Sequence, residues 1–151
     1  MGGASKDAFR PGGKSAGPVL CQRCGAVFRR GRWTWGAAPA GAARHRCPAC
    51  QRIDEDYPAG YIAISGAFLK LHGKEVLARV RQCEAEEKSN HPLERIMATQ
   101  DAGALGLLVT TTSVHLARRI GHALHSAFKG SLTKTYNRGD NILRVRWSRD
   151  A

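Results

Sequence analysis

The chain has no apolar run approaching the ~20 residues that a membrane-spanning helix needs. Residues 1–17 are rich in Gly, Ser and Ala, include Lys6, Arg10 and Lys14, and hold no apolar stretch of the kind that marks a secretory signal. Both absences point to the cytoplasm. Acids are scarce at both ends: residues 1–52 carry ten Lys/Arg against Asp7 alone, and residues 104–151 carry eight against two. Catalytic pairings are missing as well. The hydroxyls of Thr110-Thr111-Thr112-Ser113 fall where a helix N-cap belongs, and the acids gather mid-chain, away from His115, His122 and His125. No nucleophile–base pair results, so no enzyme is expected. Gly12-Gly13-Lys14-Ser15 has the end of a phosphate-loop pattern, but Ala8 stands where its first glycine belongs, and nucleotide hydrolysis is not expected.

Cysteine, in contrast, is present in pairs. Cys21/Cys24 and Cys47/Cys50 form two Cys-x-x-Cys knuckles separated by 22 residues. Structural zinc takes four soft donors in a tetrahedron, and each knuckle delivers two from one tight turn. Four cysteines leave no position for water, so the expected cofactor is one structural Zn2+ and not a catalytic one. Thiols used this way suit a reducing compartment better than a disulfide framework does. His45, two residues before Cys47, is a rival ligand by position, but it sits between Arg44 and Arg46 and reads as a surface donor. Cys83, alone in a helical stretch, reads as a small core or boundary residue.

The expected fold class is α+β: a four-cysteine zinc ribbon or treble-clef-like module followed by a helix and a compact β-β-α-β-β unit. The expected division is a disordered basic tail over 1–18, a zinc-binding module over 19–60, a helical connector over 61–92, and an α+β unit binding RNA or the ribosome over 93–151. Val27-Phe28 and Arg32–Trp35 predict short strands around a turn at Arg30-Gly31. Tyr61–Ile64 reads as a short apolar strand or a helix start, and Lys74–Lys88 as a helix with Val76, Leu77 and Val80 on one face. Leu93–Thr99 and Leu105–Thr111 predict strands about a turn at Asp101-Ala102-Gly103. A helix capped by Thr112 or Ser113 then runs to Phe128, its buried face drawn by Leu116, Ala117, Ile120, Ala123, Leu124, Ala127 and Phe128. Ser131–Tyr136 and Ile142–Ser148 predict a final hairpin.

The net charge of +12 is uneven, since residues 53–103 hold six Lys/Arg against nine acids between two basic flanks. Most of the basic side chains are arginine, whose planar fork suits phosphate and stacks on bases. The expected partner is nucleic acid, RNA first. Around the zinc the candidate RNA-binding residues are Arg23, Arg29, Arg30, Arg32, Arg44, Arg46 and Arg52. Trp33 and Trp35 alternate along one strand, so their indoles share a face; stacking on bases and core packing both stay open for them. On the last helix His115, Arg118, His122, His125 and Lys129 step by three or four along one stripe with Arg119 beside them. Crowding by arginine argues against a metal there; a phosphate-facing surface and an ordinary solvated face are the readings left. In the final strand Arg144 and Arg146 point one way and Leu143, Val145 and Trp147 the other. Lys134, Tyr136 and Arg138 are expected to join the basic side from the neighbouring strand.

Cys21-Gln-Arg-Cys24-Gly25, Cys47-Pro-Ala-Cys50, Asp56–Tyr61, His91–Ile96 and Thr110–Gly121 together resemble a group of short bacterial zinc-ribbon proteins. More distantly they are similar to the N-terminal part of the archaeal and eukaryotic export adaptor of the large ribosomal subunit, a family named for nonsense-mediated decay. The likeness spans about residues 19–149 and is most specific over Thr110–Gly121 and the hairpin ending in Arg144–Arg149. It implies binding to the large ribosomal subunit through the zinc module and the α+β unit together. It further implies rRNA contact near the subunit interface or tRNA sites, with ribosomal proteins or tRNA as further partners. Nuclear export does not carry over, because the adaptor's additional Cys-x-x-Cys pairs and long C-terminal domains have no counterpart in these 151 residues.

The leading expectation is a non-enzymatic, ribosome-associated zinc protein that binds rRNA of the large subunit in subunit maturation, quiescence (hibernation) or translational control. No membrane contact and no stable homo-oligomer are expected. Two rivals share the charge pattern: a transcription-associated zinc ribbon that binds DNA or RNA polymerase, and an interaction module whose acidic run Glu84–Glu87 docks a basic partner.

Overall fold

Gly and Pro interrupt residues 19–60 every few positions, and the elements there are correspondingly short. The computed structural model describes residues 17–151, so the tail expected over 1–18 lies almost wholly outside the described residues. A first sheet has the order β3-β2-β1-β4, with β1 Val19–Leu20, β2 Val27–Arg29, β3 Arg32–Thr34 and β4 Ala43–Arg44. β2 and β3 match the expected strands. β1 and β4 are two residues each, too short to leave a period in the sequence. The turn between β2 and β3 places Arg30 at φ 54° and Gly31 at φ 80°, the doubly left-handed geometry of a tight hairpin. Helix α1, Pro48–Glu55, starts on the second knuckle, with Pro48 in its first turn and the Cys47 side chain as its N-cap.

The second sheet has five strands in the order β6-β7-β5-β9-β8. These are β5 Gly60–Ser65, β6 Ile96–Asp101, β7 Leu107–Thr111, β8 Ser131–Asn137 and β9 Ile142–Ser148. Helix α2, Ala67–Lys88, follows β5, and helix α3, Val114–Phe128, follows β7. β5 and β6 both run antiparallel to β7, so they are parallel to each other with β7 between them. β7 and β8 are parallel in the same way, with β5 and β9 between. Two split β-α-β units therefore interleave in one sheet, and both helices cover the same face.

This topology changes the expected division of the chain. The segment read as a helical connector over 61–92 supplies the central strand and one of the two covering helices. The expected β-β-α-β-β order is present as β6-β7-α3-β8-β9, but without β5 nothing joins β7 to β9. A short apolar run such as Tyr61–Ile64 carries no period that could reveal this. Helix α2 also begins earlier than Lys74, with non-helical angles at His72 separating a first turn and a half from the expected stretch. The strand expected over Leu93–Thr99 starts only at Ile96, because Leu93 packs against the cysteines instead.

Strand alternation sends Ile62, Ile64, Val109, Leu143, Val145 and Trp147 toward the helices, all of them buried. They meet Phe68, Val76, Val80 and Cys83 of α2 and Leu116, Ala117, Ile120 and Leu124 of α3. Each large side chain so buried contributes on the order of 1.5–3 kcal/mol. Trp147 is fully covered, and its indole N–H donates to the Lys129 carbonyl at 2.6 Å. Ala127, on the expected stripe of α3, is exposed in the last turn; periodicity says which residues share a face, not how far the covering partner extends.

Helix α3 sits close to the sheet at Gly60, where a Cβ would overlap Ala117 Cβ and Thr111 Oγ1. Gly60→Ala is therefore expected to cost about 1–3 kcal/mol through overpacking. A lower midpoint in urea unfolding with an unchanged slope would show it.

Candidate metal centre and basic surfaces

The first knuckle is a closed turn: Gly25 N–H donates to the Cys21 carbonyl at 3.0 Å and Cys21 N–H to the Ala26 carbonyl at 2.8 Å. The second is a helix start, where Cys47 Sγ accepts from the Cys50 N–H at 3.3 Å. Cys47 N–H in turn donates to Cys21 Sγ at 3.2 Å and draws the knuckles together. All four Sγ atoms lie within 4.8 Å of one another, and the Cys21–Cys50 and Cys24–Cys47 pairs are each 3.8 Å apart. Tetrahedral zinc with bonds of ~2.3 Å sets its sulfurs ~3.8 Å apart. A disulfide needs ~2.05 Å. The donor set fits a metal ion, plausibly zinc, and His45 is exposed outside it.

One further side chain points into this cluster. Arg95, which no sequence spacing marks, is buried, and its Nη2 donates to Cys24 Sγ at 2.8 Å. Its Nη1 lies 3.6 Å from Cys50 Sγ and its Nη2 3.7 Å from Cys47 Sγ. The hydrogen bond from Cys47, opposed by burial and helped by the Ala26 backbone and Arg95, holds the Cys24 thiol down at about 4. The same pairing together with burial pushes the Cys47 thiol up. Burial also pushes Cys50 up, against the hydrogen bond from Arg95.

No family model, curated protein or solved structure matches this chain. Among the described residues no helix is long and apolar enough to cross a membrane.

The candidate RNA-binding residues divide by what they touch. Arg23 and Arg46 both bind Asp54 of α1, Arg46 at 2.7 Å, and share its single negative charge. Arg52 donates to the Tyr57 carbonyl at 3.0 Å and lies over the Tyr57 ring. Trp33 packs against Phe28 and the cysteine cluster, whereas Trp35 uses its indole N–H on the Lys88 carbonyl at 2.6 Å. The two indoles are thus engaged differently, Trp33 in packing and Trp35, which stays exposed, in a bond to the end of α2. Arg29, Arg30, Arg32 and Arg44 stay exposed, with no carboxylate at ion-pair distance among the described residues.

The stripe on α3 is partly cancelled. Arg119 binds Glu86 and Glu87 of α2, and His115 Nε2 lies 3.2 Å from Glu87 Oε1. Glu84 accepts from the Ile96 N–H, so this acidic run is engaged within the molecule. Arg118, His122, His125 and Lys129 are exposed. Burial, then the neighbouring charges of Lys134, Arg118 and His125, keep His122 below its ordinary value. Charge reversal at Arg119 would set three carboxylates together, so Arg119→Glu is expected to destabilise the α2–α3 contact by about 1–3 kcal/mol. Thermal unfolding would read it, and acid should act in the same direction. Burial raises the Glu87 carboxyl, but Arg119 and His115 outweigh it and the net shift is downward. Its contribution is present above the ordinary glutamate value and is lost as pH falls through the lowered one.

On the sheet, Arg144 and Arg146 are exposed on the face without helices, as expected, and Arg144 lies 4.7 Å over the Tyr61 ring. Lys134 and Tyr136 do not join them. Register pairs Lys134 with Val145 and Tyr136 with Leu143, which turns both toward the helix side, and Lys134 Nζ approaches His122 Nε2 at 2.7 Å. Thr133 and Thr135 stand beside Arg146 and Arg144 instead, while Arg138 is exposed in the hairpin loop. Alternation predicts faces within a strand, but the loop sets which face the next strand shares. The basic stripe of α3 and the arginines of β9 therefore lie on opposite sides of the sheet.

Proposed function

We propose that this chain is a non-enzymatic, zinc-stabilised RNA-binding protein that contacts rRNA of the large ribosomal subunit, in subunit maturation, quiescence or translational control. The observation that carries the proposal is the β2–β3 hairpin. Arg29 and Arg32 are direct cross-strand partners, and Arg30 occupies the turn between them. Like charges directly opposite in a strand pair cost stability. A phosphate backbone laid against the tip offsets that cost and releases counterions. Arg144 and Arg146, with Thr133 and Thr135 beside them, offer a second set of phosphate and ribose donors on the open sheet face. The cysteine module is read as treble-clef-like, with one pair in a knuckle before a hairpin and the other at a helix N-terminus. The ribosomal assignment draws on the resemblance of the knuckles and of Thr110–Gly121.

Tagged protein in cell lysate, sedimented through sucrose at low and moderate salt with and without nuclease, tests this reading. Co-migration with the large subunit or whole ribosomes is expected, weakening as salt rises. Protein that stays at the top of the gradient in every condition, stationary-phase cells included, defeats the ribosomal reading. Preference for duplex DNA over structured RNA would favour the transcription-associated zinc ribbon instead.

A further inference from the structure

We infer that Arg95 is an integral part of the metal centre: it is the counter-ion and hydrogen-bond donor of the four-thiolate site, and it makes metal binding and the docking of the cysteine module onto the five-stranded unit a single event. No RNA contact is needed for this role. Zn2+ with four thiolates leaves a net charge of about −2, and buried charge persists only when paired. Arg95 is the one cation hydrogen-bonded to these sulfurs among the described residues, and its fork reaches Cys24, Cys47 and Cys50 at once. A lysine has no such fork.

The guanidinium is held in place from the other unit. Arg95 Nε donates to the Pro92 carbonyl at 2.6 Å, and Arg95 N–H donates to Thr112 Oγ1 at 3.0 Å. Thr112 N–H returns a bond to the Arg95 carbonyl at 2.9 Å, and Thr112 Oγ1 donates to the Leu93 carbonyl at 2.6 Å. Leu93 itself packs against the cysteine cluster. Thr112 directly follows β7, so the donor is anchored to the sheet while its acceptors belong to the knuckles. With the thiolates dispersed by a chelator, the guanidinium loses the partners that compensate its burial, and the segment around it should open.

The test uses the full chain with Arg95→Leu, Arg95→Lys and, as a control, Trp35→Phe, which removes another bond between the units. Zinc affinity is measured by competition with a chromophoric chelator, and the sulfur-to-metal charge-transfer bands are recorded with Co2+ in place of zinc. Hydrogen bonds stabilise thiolate electrons, so their loss should move those bands to longer wavelength. Expected are a 10- to 100-fold loss of zinc affinity in Arg95→Leu, a size common for removed partners of metal ligands, and a smaller loss in Arg95→Lys. Both variants should show the band shift, and Trp35→Phe should not. Zinc affinity within twofold of the parent and an unmoved spectrum would sink the assignment. If Arg95→Leu loses the fold of the sheet, as read by hydrogen exchange at β5 and β9, then Arg95→Lys decides alone. An equal shift in Trp35→Phe would overturn the assignment too, since general loosening would then explain the spectrum.

Discussion

Stripping the metal is expected to unfold the cysteine module and leave the five-stranded unit standing. The module's buried cluster consists of Cys21, Ala26, Cys47, Ala49 and Cys50, with Val19 and Val27 buried nearby, and its strands are two or three residues long. So little apolar surface does not hold a fold by itself. Structural zinc contributes on the order of 10–16 kcal/mol of apparent binding energy near neutral pH, and in such modules binding energy is folding energy. The second unit has its own core around Trp147, Ile62, Ile64, Leu116, Ile120 and Leu124, and its one core thiol, Cys83, belongs to no cluster of metal donors among the described residues. Hydrogen exchange with and without chelator checks the difference. Amides of β1 to β3 should lose protection, those of β5, β7 and β9 should keep it, and the segment from Leu93 to Ile96 should open with the module. Cys47→Ser should reproduce the chelator pattern. Joint loss of protection across both sheets would show that the five-stranded unit does not stand alone.

Arg32→Glu is expected to move stability and RNA affinity in opposite directions. Opposite Arg29 the new carboxylate replaces a like-charge pair with an attractive one, worth about 0.2–1 kcal/mol to the hairpin. The same change removes one phosphate donor and adds repulsion. Binding to structured RNA should fall about tenfold at moderate salt, and the log-log salt slope should shrink by ~0.7–0.9 for each phosphate no longer neutralised. A filter-binding titration across salt, beside a thermal melt of the zinc-loaded protein, measures both. Unchanged affinity would remove the hairpin tip from the RNA surface. Arg146→Glu on the open sheet face provides the comparison, since it changes charge without a cross-strand arginine to relieve.

The elements that the sequence announces are those whose signals are local. Helix α3 is legible from end to end because Ser113 accepts from the Leu116 N–H at its start and its apolar residues repeat at helical spacing. The alternation of Leu143, Val145 and Trp147 with Arg144 and Arg146 reads correctly for the same reason. β1, β4 and α1 fall short of any period, and the role of β5 is hidden because centrality in a sheet is a property of the pairing and not of the strand. The cancelled charges are likewise invisible in composition. Arg119 and Arg118 are neighbours in sequence, yet only Arg119 meets Glu86 and Glu87, which belong to a helix packed against it.

Residue type and spacing were enough to pick out the four cysteines that converge into a cluster able to hold a metal ion, since two Cys-x-x-Cys turns concentrate four soft donors whatever surrounds them, and to establish the excess of arginine. Folding in three dimensions set which arginines stay unpaired, which side of the sheet each one faces, and that Arg95 reaches the cysteine cluster across 71 residues of chain. Such pairings arise from the packing of separate elements, and no period or spacing within a segment encodes them.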